Sequence, residues 1–388
     1  MNLKEFQNYL QEPTISQNFD TDCLGTKVEK VYESGVNDTL EGVSLALIGV
    51  DEFRASQTNY NCGGNSDAIR SKLFDLMKHD SAGIIADLGN LKLGNTTQDT
   101  CTAISNISAE LIRNKIVPII FGPSQDVTFA QYEAYKQLAQ IINLVNVDSR
   151  FDLGTPNDDL HAQSYVGKII LEQPNFLFNY SHIGYQTYYV GDNAVSQMSK
   201  LYFDTYRLGH VTTDIADMEP VLRNSDMISF DLSAIKSADA KASLKPGPNG
   251  LSGAEACQLM YYAGMSEKLS SVGIYNYVNQ KDDAGLTAEL AAQMIWYFIE
   301  AFFKRKNEMP QYNKNGFLKY TVPLHSTNHE LIFLKSTKSD RWWMEIPIAD
   351  NYTKLQRHHI VPCSHNDYLM ACSNEMPVRW WQAYQKLC

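Results

Sequence analysis

The sequence lacks any apolar run approaching the about 18 residues needed to cross a bilayer. Its opening, MNLKEFQNYLQEPTISQNFD, puts polar and acidic side chains where a secretory leader needs an apolar stretch of about 7–15 residues. Together these absences lead us to expect a cytoplasmic protein. Positive charge is scarce: 33 Lys and Arg against 44 Asp and Glu give a formal charge of -11. Such a surface repels phosphate backbones and anionic lipid over a Debye length of about 8–10 Å, so neither nucleic acid nor membrane is an expected partner. The 7 cysteines (Cys23, Cys62, Cys101, Cys257, Cys363, Cys372 and Cys388) are scattered, odd in number and never spaced C-x-x-C. That excludes a disulfide framework and leaves reduced thiols, many of them filling core.

What is present suits a large packed domain. Of the 388 residues 44% are hydrophobic, and 22 Tyr, 16 Phe and 5 Trp supply bulk for a core, enough for one large α/β domain with an appendage. Apolar runs of strand length recur at Val43–Val50, Gly83–Leu88, Ile116–Phe121, Ile141–Val147, Met227–Leu232 and Ser271–Tyr277. Between them lie helical patterns. In Leu286–Lys304 the residues Leu290, Met294, Phe298 and Phe302 share a face, as do Ile69, Leu73 and Met77 in Ser66–Lys78. Alternating strands and helices predict a largely parallel sheet covered on both faces.

Ligands of such sheets lie beyond the carboxyl ends of the strands. After Ile116–Phe121 comes Gly122-Pro123-Ser124-Gln125-Asp126, and after Ile141–Val147 comes Asp148-Ser149-Arg150-Phe151-Asp152. The run from Met227 ends in Asp231-Leu232-Ser233. Any one of these aspartates could be a helix cap, but Asp148, Asp152 and Asp231 delivered to the same side suggest a site. Beyond residue 305 the texture changes: KRKNEMPQYNKNG, broken by Pro310 and Gly316, marks a boundary. Phe317–Leu324, Glu330–Lys335 and Trp342–Ile348 then read as short antiparallel strands, with Ser326-Thr327-Asn328 as a turn and a terminal helix near Pro377–Lys386. We expect an α/β domain over residues 1–305 and a β-rich extension over 306–388, packed on it.

The three strand-end segments resemble the metal motifs of the ureohydrolases, the arginase/agmatinase/formimidoylglutamase family, which read Gly-Gly-Asp-His-Ser, Asp-Ala-His-x-Asp and Ser-Phe-Asp-x-Asp-x-x-Asp-Pro. Here they read as quoted, the third being Ser229-Phe230-Asp231-Leu232-Ser233-Ala234-Ile235-Lys236. Similarity continues through Gly49-Val50-Asp51-Glu52-Phe53-Arg54, Asp67-Ala68-Ile69-Arg70, Asp87-Leu88-Gly89-Asn90, Gly250-Leu251-Ser252 and Leu286-Thr287-Ala288. It spans residues 25 to 305 and is nearest to bacterial formimidoylglutamase-like members. The resemblance implies a three-layer arginase/deacetylase-like fold and a homo-oligomer.

In that family two Mn²⁺ ions are held by two His and four Asp, and a bridging hydroxide attacks an amidine or guanidinium carbon. Carried over, the ligand positions are Gln125, Asp148, Arg150, Asp152, Asp231 and Ser233: three carboxylates, no imidazole, and an arginine that cannot coordinate. The glutamate that grips a cationic substrate corresponds to Asn276, and the proton-shuttling histidine falls near His161, which on its own reads as a surface or structural residue. The expected function is therefore a non-catalytic ureohydrolase-fold protein, a scaffold, regulatory or binding protein without a resident metal. The alternative is an active amidine hydrolase with an atypical site, holding Mn²⁺ on the surviving aspartates. Arg150 is expected to pair with those acids in place of the metals; Lys236 adds a second positive charge nearby, which either joins them or points outward.

Other motifs read as structural. Cys62-Gly63-Gly64 is a turn, because no Lys-Ser/Thr follows it as a phosphate loop requires. His358-His359 and Cys363…His365 match no zinc spacing. Arg341-Trp342-Trp343 and Arg379-Trp380-Trp381 are expected to anchor the extension, with a protein-binding surface as the alternative.

Overall fold

The computed structural model describes residues 6–15, 18–32, 40–56, 60, 63–80, 83–311, 315–325, 329–348 and 353–388. Cys62 and the Ser326-Thr327-Asn328 turn lie outside them. The main sheet is built from β1 (Leu10–Gln11), β2 (Glu29–Lys30), β3 (Val43–Gly49), β4 (Ile84–Leu91), β5 (Val117–Phe121), β6 (Ile142–Val147), β7 (Leu177–Tyr185), β8 (Asp204–Arg207), β9 (Met227–Asp231) and β10 (Ser271–Tyr275). Its order is β1-β4-β3-β5-β10-β9-β6-β7-β8, with β2 also on β4. β1 runs antiparallel to β4 and the other pairings are parallel.

Strands β5, β6, β9 and β10 are buried along their whole length, as continuous apolar runs in a parallel sheet should be. Alternate side chains feed opposite faces. Leu45 and Leu47 join a core with Ile69 and Leu73 of α1 (Asn65–Asp75), whereas Ala46 and Ile48 join Ile104 and Ile107 of α2 (Thr97–Arg113). The first face is completed by α8 (Gly253–Gly264) and α9 (Leu286–Phe303), the second by α3 (Val127–Gln137) and α4 (Tyr165–Leu171). Shorter helices α5 (Asp192–Lys200), α6 (Leu208–Thr213) and α7 (Met218–Arg223) fill the connections near β8 and β9. This is the three-layer architecture expected from the sequence.

The C-terminal segment adds a four-stranded antiparallel sheet, β11 (Phe317–Leu324), β12 (His329–Ser336), β13 (Trp342–Glu345) and β14 (Ile360–Cys363), in that order, with α10 (His365–Cys372) and α11 (Val378–Leu387). Its core gathers Phe333, Trp342, Met344 and Trp380 around the main sheet's Phe178. Arginines stitch the two parts together. Arg223 of α7 donates to the carbonyls of Trp342 and Cys363 and lies over the Trp343 ring at 4.3 Å. Arg379 pairs with Asp217 at 2.6 Å and Asp367 at 2.7 Å, and Arg357 reaches Asp226 at the foot of β9. Trp342, Trp343 and Trp380 are buried, in keeping with an anchoring role, while Trp381 is 44% exposed.

Candidate functional site

Four adjacent strands, β5, β10, β9 and β6, bring their carboxyl ends to one place. At the end of β5 the chain passes so close to Val50 that a Cβ on Gly122 would lie 2.0 Å from its carbonyl oxygen. Only glycine permits that passage. The turn that follows buries Gln125 just ahead of α3. Asp148 follows β6 directly, Asp231 is the last residue of β9, and Asn276 follows β10.

Asp148, Asp152 and Asp231 each offer a carboxylate oxygen within 4.8 Å of the others'. Asp148 and Asp231 are buried, and Asp152 is partly exposed. Asp148 Oδ1 accepts from the Arg150 backbone N–H at 3.1 Å. Asp231 Oδ1 accepts from the Ser233 N–H at 2.6 Å and its Oδ2 from Asn276 Nδ2 at 2.7 Å. Gln125, 0% exposed, donates from Nε2 to Asn146 Oδ1 at 3.0 Å and to Ser229 Oγ at 3.1 Å. The other end of its amide lies 3.3 Å from Asp148 Oδ2 and 3.2 Å from Asp231 Oδ2.

One expectation needs correction, and two further residues find their places. The Arg150 guanidinium pairs with none of the three acids: it lies over the Tyr189 ring at 3.7 Å and donates to Ser149 Oγ at 3.3 Å. A partly exposed planar cation gains more from an aromatic face than from desolvating itself among carboxylates. Lys236 pairs with Asp239 at 3.6 Å, away from the cluster, because the third motif turns outward after Ile235. His161 sits 3.6 Å from Asp158 and accepts from the Gln163 N–H, a local loop arrangement.

With the guanidinium turned away, burial and mutual repulsion raise all three acids. Burial, then repulsion from Asp152, raises Asp148 well above the usual carboxylate range. Burial, then repulsion from Asp148, pushes Asp231 up to about 8 despite its hydrogen bonds. Burial also raises Asp152, to about 6.

Beneath the acids runs a polar layer that sequence reasoning missed. His182, fully buried and pushed down to about 3 by that burial, places Nε2 2.9 Å from the Asp148 backbone carbonyl and Nδ1 2.8 Å from the Tyr180 hydroxyl. Tyr180 meets Asn146 Nδ2 at 3.2 Å, and Asn146 meets Gln125. The signal was available: Asn146 and His182 are polar interruptions of buried strands, and such groups survive burial only when bonded.

The donor set, three carboxylates with Gln125, Arg150 and Ser233, differs from the two imidazoles and four carboxylates that the resemblance gives the family's manganese pair. Arg150 faces elsewhere, and Ser233 contributes its backbone N–H to Asp231. The acid cluster does remain a place where an ion could be held, so the expectation of a metal-free site finds no support in the geometry.

A three-layer α/β sheet with carboxylates converging beyond its central strands defines a class, that of arginase-like folds. The arginase family model matches residues 44–300, about two thirds of the chain, and the protein belongs to that family. A formimidoylglutamase of Staphylococcus aureus is 26% identical over 268 residues, covering 67% of this chain and 86% of that protein. The Bacillus subtilis formimidoylglutamase structure aligns with a TM-score of 0.66 at 15% identity, covering 79% of this chain and 100% of that one. Trypanosoma cruzi formiminoglutamase with Mn²⁺ aligns at 0.62 and 18% identity, over 69% of this chain and 96% of that one. At those identities the solved structures establish the shared fold. Among the described residues no helix is long and apolar enough to cross a membrane.

Proposed function

We propose that this arginase-family protein has given up two-metal amidine hydrolysis and serves as a non-catalytic scaffold, regulatory or ligand-binding protein. The observation that carries this reading is the Arg150 side chain. It stands where the family motif has a metal-binding histidine and turns away onto Tyr189. Gln125 at the other histidine position, Ser233 at an aspartate position and Asn276 in place of the substrate-gripping glutamate point the same way. A hydroxide held between two ions has too few ligands to form here. The β-rich extension, with Trp381 exposed beside Tyr384, is the part we propose for contact with a partner protein. A homo-oligomer rests on family likeness alone.

A second reading has its own support. Three carboxylates remain within 4.8 Å, and relatives at 26% identity are formimidoylglutamases, so an amidine hydrolase with an atypical metal site is the alternative. Assaying the full chain, loaded with Mn²⁺, for formamide or urea release from N-formimidoyl-L-glutamate, arginine and agmatine decides between them. No release is expected. Turnover accompanied by two bound manganese ions per chain sinks the non-catalytic reading.

A further inference from the structure

The C-terminal extension does not close fully onto the edge of the main sheet. Between β7, β8 and α7 on one side and β14 and α11 on the other lies a chamber of about 40 Å³, with Asn179, Ser181, Asp204, Arg379, Gln382 and Lys386 in its wall. A water needs about 10–15 Å³ of such space, so the chamber admits a small charged head group and little more. Asp204, Tyr206, Arg379 and Gln382 also line a cleft of about 800 Å³ that runs outward past α6 and α10. Its outer residues Arg207, His210 and Asp214 are exposed, so the chamber is the inner end of an open cleft. Interfaces between two packed parts of a chain are common places for small-molecule sites.

Two opposite charges face this chamber without pairing. Asp204, the first residue of β8, and Lys386, in the last turn of α11, are held apart by Asn179. That amide accepts from Lys386 Nζ on Oδ1 and donates from Nδ2 to Asp204 Oδ2 at 2.7 Å. Ser181 Oγ donates to the same oxygen at 2.9 Å, so both fixed donors go to Oδ2 and Asp204 Oδ1 receives none. Lys386 carries three N–H groups and spends one of them on Asn179. Burial lowers its ammonium to about 8, with the Asp204 charge opposing the shift. Arg379 spends its Nη groups on Asp217 and Asp367 and keeps a buried Nε without a partner. The Gln382 amide, in the wall of both cavities, makes no hydrogen bond among the described residues.

Polar groups left short of partners inside a protein are costly unless a ligand or water completes them. A simple anion would satisfy Lys386 and Arg379, but Asp204, Asp217 and Asp367 already outnumber those two cations. A simple cation would satisfy Asp204 and repel Lys386. A group with both signs on neighbouring atoms suits both walls at once. We propose that the cleft between the main sheet and the C-terminal extension binds a free α-amino acid, with its carboxylate against Lys386, its ammonium against Asp204 Oδ1 and its side chain out along the cleft. The two charges of an amino acid stand on one carbon, as this divided pair requires, whereas those of a peptide lie at opposite ends. Tyr206, Met370 and Val378 offer the side chain an apolar wall. Because Asp204 belongs to the main sheet and Lys386 to the extension, the bound amino acid ties the two together. The chamber lies at the amino ends of β7 and β8, away from the acid cluster, so the inference holds whether or not that cluster hydrolyses amidines.

Calorimetric titration of the full chain with glycine, L-leucine, L-phenylalanine, L-glutamate, L-arginine and L-histidine, each alone, tests it. At least one is expected to bind once per chain with a Kd at or below about 1 mM. The N-acetyl derivative of that amino acid lacks the ammonium and its methyl ester lacks the carboxylate, and each should bind at least about tenfold more weakly. Asp204→Asn and Lys386→Met should each weaken binding at least about tenfold, while unfolding within about 3 °C of the parent without ligand. Asp204→Asn keeps an acceptor for Asn179 and Ser181, and the two derivatives decide the matter even if a variant fails to fold. Absence of binding by all six at about 10 mM overturns the site. So does equal binding of either derivative, or parental affinity in a folded variant.

Discussion

The two ends of strand β9 set the same electrostatic problem and meet it differently. At the amino end Asp226, 0% exposed, accepts from the Asn143 N–H at 2.8 Å and is paired with Arg357 of the C-terminal extension. At the carboxyl end Asp231 is equally deep but pairs with no cation among the described residues, and it stands beside Asp148 and Asp152. A second paired case lies at the edge of the sheet. Arg70, itself 0% exposed, joins Asp67 at 2.9 Å and Asp87 at 3.1 Å, and donates to Asn90 Oδ1 at 2.7 Å. Buried acids in this protein are as a rule given an arginine. Asp148 and Asp231 go without one, as does Asp126 in the turn after β5, so the exceptions gather at the carboxyl ends of the central strands, and perturbed, unpaired acids are where ligands are sought.

Removing the cation from the paired end should have the largest effect. Arg357→Ala removes the ion-pair partner of the buried Asp226 and leaves only the less direct charge of Lys268, and should cost about 3 kcal/mol in urea unfolding. A loss below about 1 kcal/mol would mean that the two ends of β9 are not different after all.

The unpaired end should show itself in the pH dependence of stability in EDTA. Asp148, Asp152 and Asp231 all have folded-state pKa values raised above the unfolded value of about 3.9, so the native chain holds protons that the unfolded chain has released. Stability from this source therefore grows as pH falls through the folded values, about 8 for Asp231 and then about 6 for Asp152, and is lost as pH rises back through them. The slope approaches about 1.4 kcal/mol per pH unit for each group in its window. Urea midpoints between pH 6 and pH 9 (roughly the range the two values span) measure it. A flat profile would mean that the acids are balanced by a cation already.

A smaller effect follows from neutralising one acid. Asp231→Asn keeps the shape and can still accept from the Ser233 N–H, while Asn276 turns its amide so that its otherwise unpartnered Oδ1 accepts from the new Nδ2, so in EDTA the change should leave stability unchanged or raise it by about 1 kcal/mol. Destabilisation of the size expected for Arg357→Ala would place a hidden counter-ion at this end too.

How far the sequence discloses this contrast depends on the range of the interactions. The strands β3, β5, β6, β9 and β10 appear in it as apolar runs, to within two residues at either end, because burial on both faces leaves no polar alternation to misread. β7 and β8 do not stand out, since Asn179, Ser181 and His182 interrupt the first and the second is only four residues long. In the extension, β11 to β13 are legible and β14 with α10 are not, the strand being too short and the helix only weakly amphipathic. The three acids are legible as strand-end residues. Their neighbours are not: Gln125 is joined to His182 through Asn146 and Tyr180, and which ring Arg150 lies on depends on a loop some forty residues away. Charge inventory alone suggests that an arginine amid three aspartates must neutralise them, and the structure shows why that inference is unsafe. The guanidinium of Arg150 goes to the Tyr189 ring, while the intervening Phe151 packs against His182 and Tyr185.

The smallest expected effect tests that point directly. Arg150 contributes its backbone N–H to Asp148, and its side chain contributes a stacking contact with Tyr189 and one long hydrogen bond to Ser149. Arg150→Ala keeps the backbone donor and removes only the contact, so in EDTA it should cost less than about 1 kcal/mol. The acids should keep their pH profile, because the guanidinium is a minor influence on Asp148 and Asp152, well behind burial. If the guanidinium were the counter-ion of the cluster, its loss would instead cost about 3 kcal/mol and steepen the profile, as at the Asp226 end. The ratio of the Arg150→Ala and Arg357→Ala effects therefore states in a single measurement whether the two ends of β9 follow one rule or two.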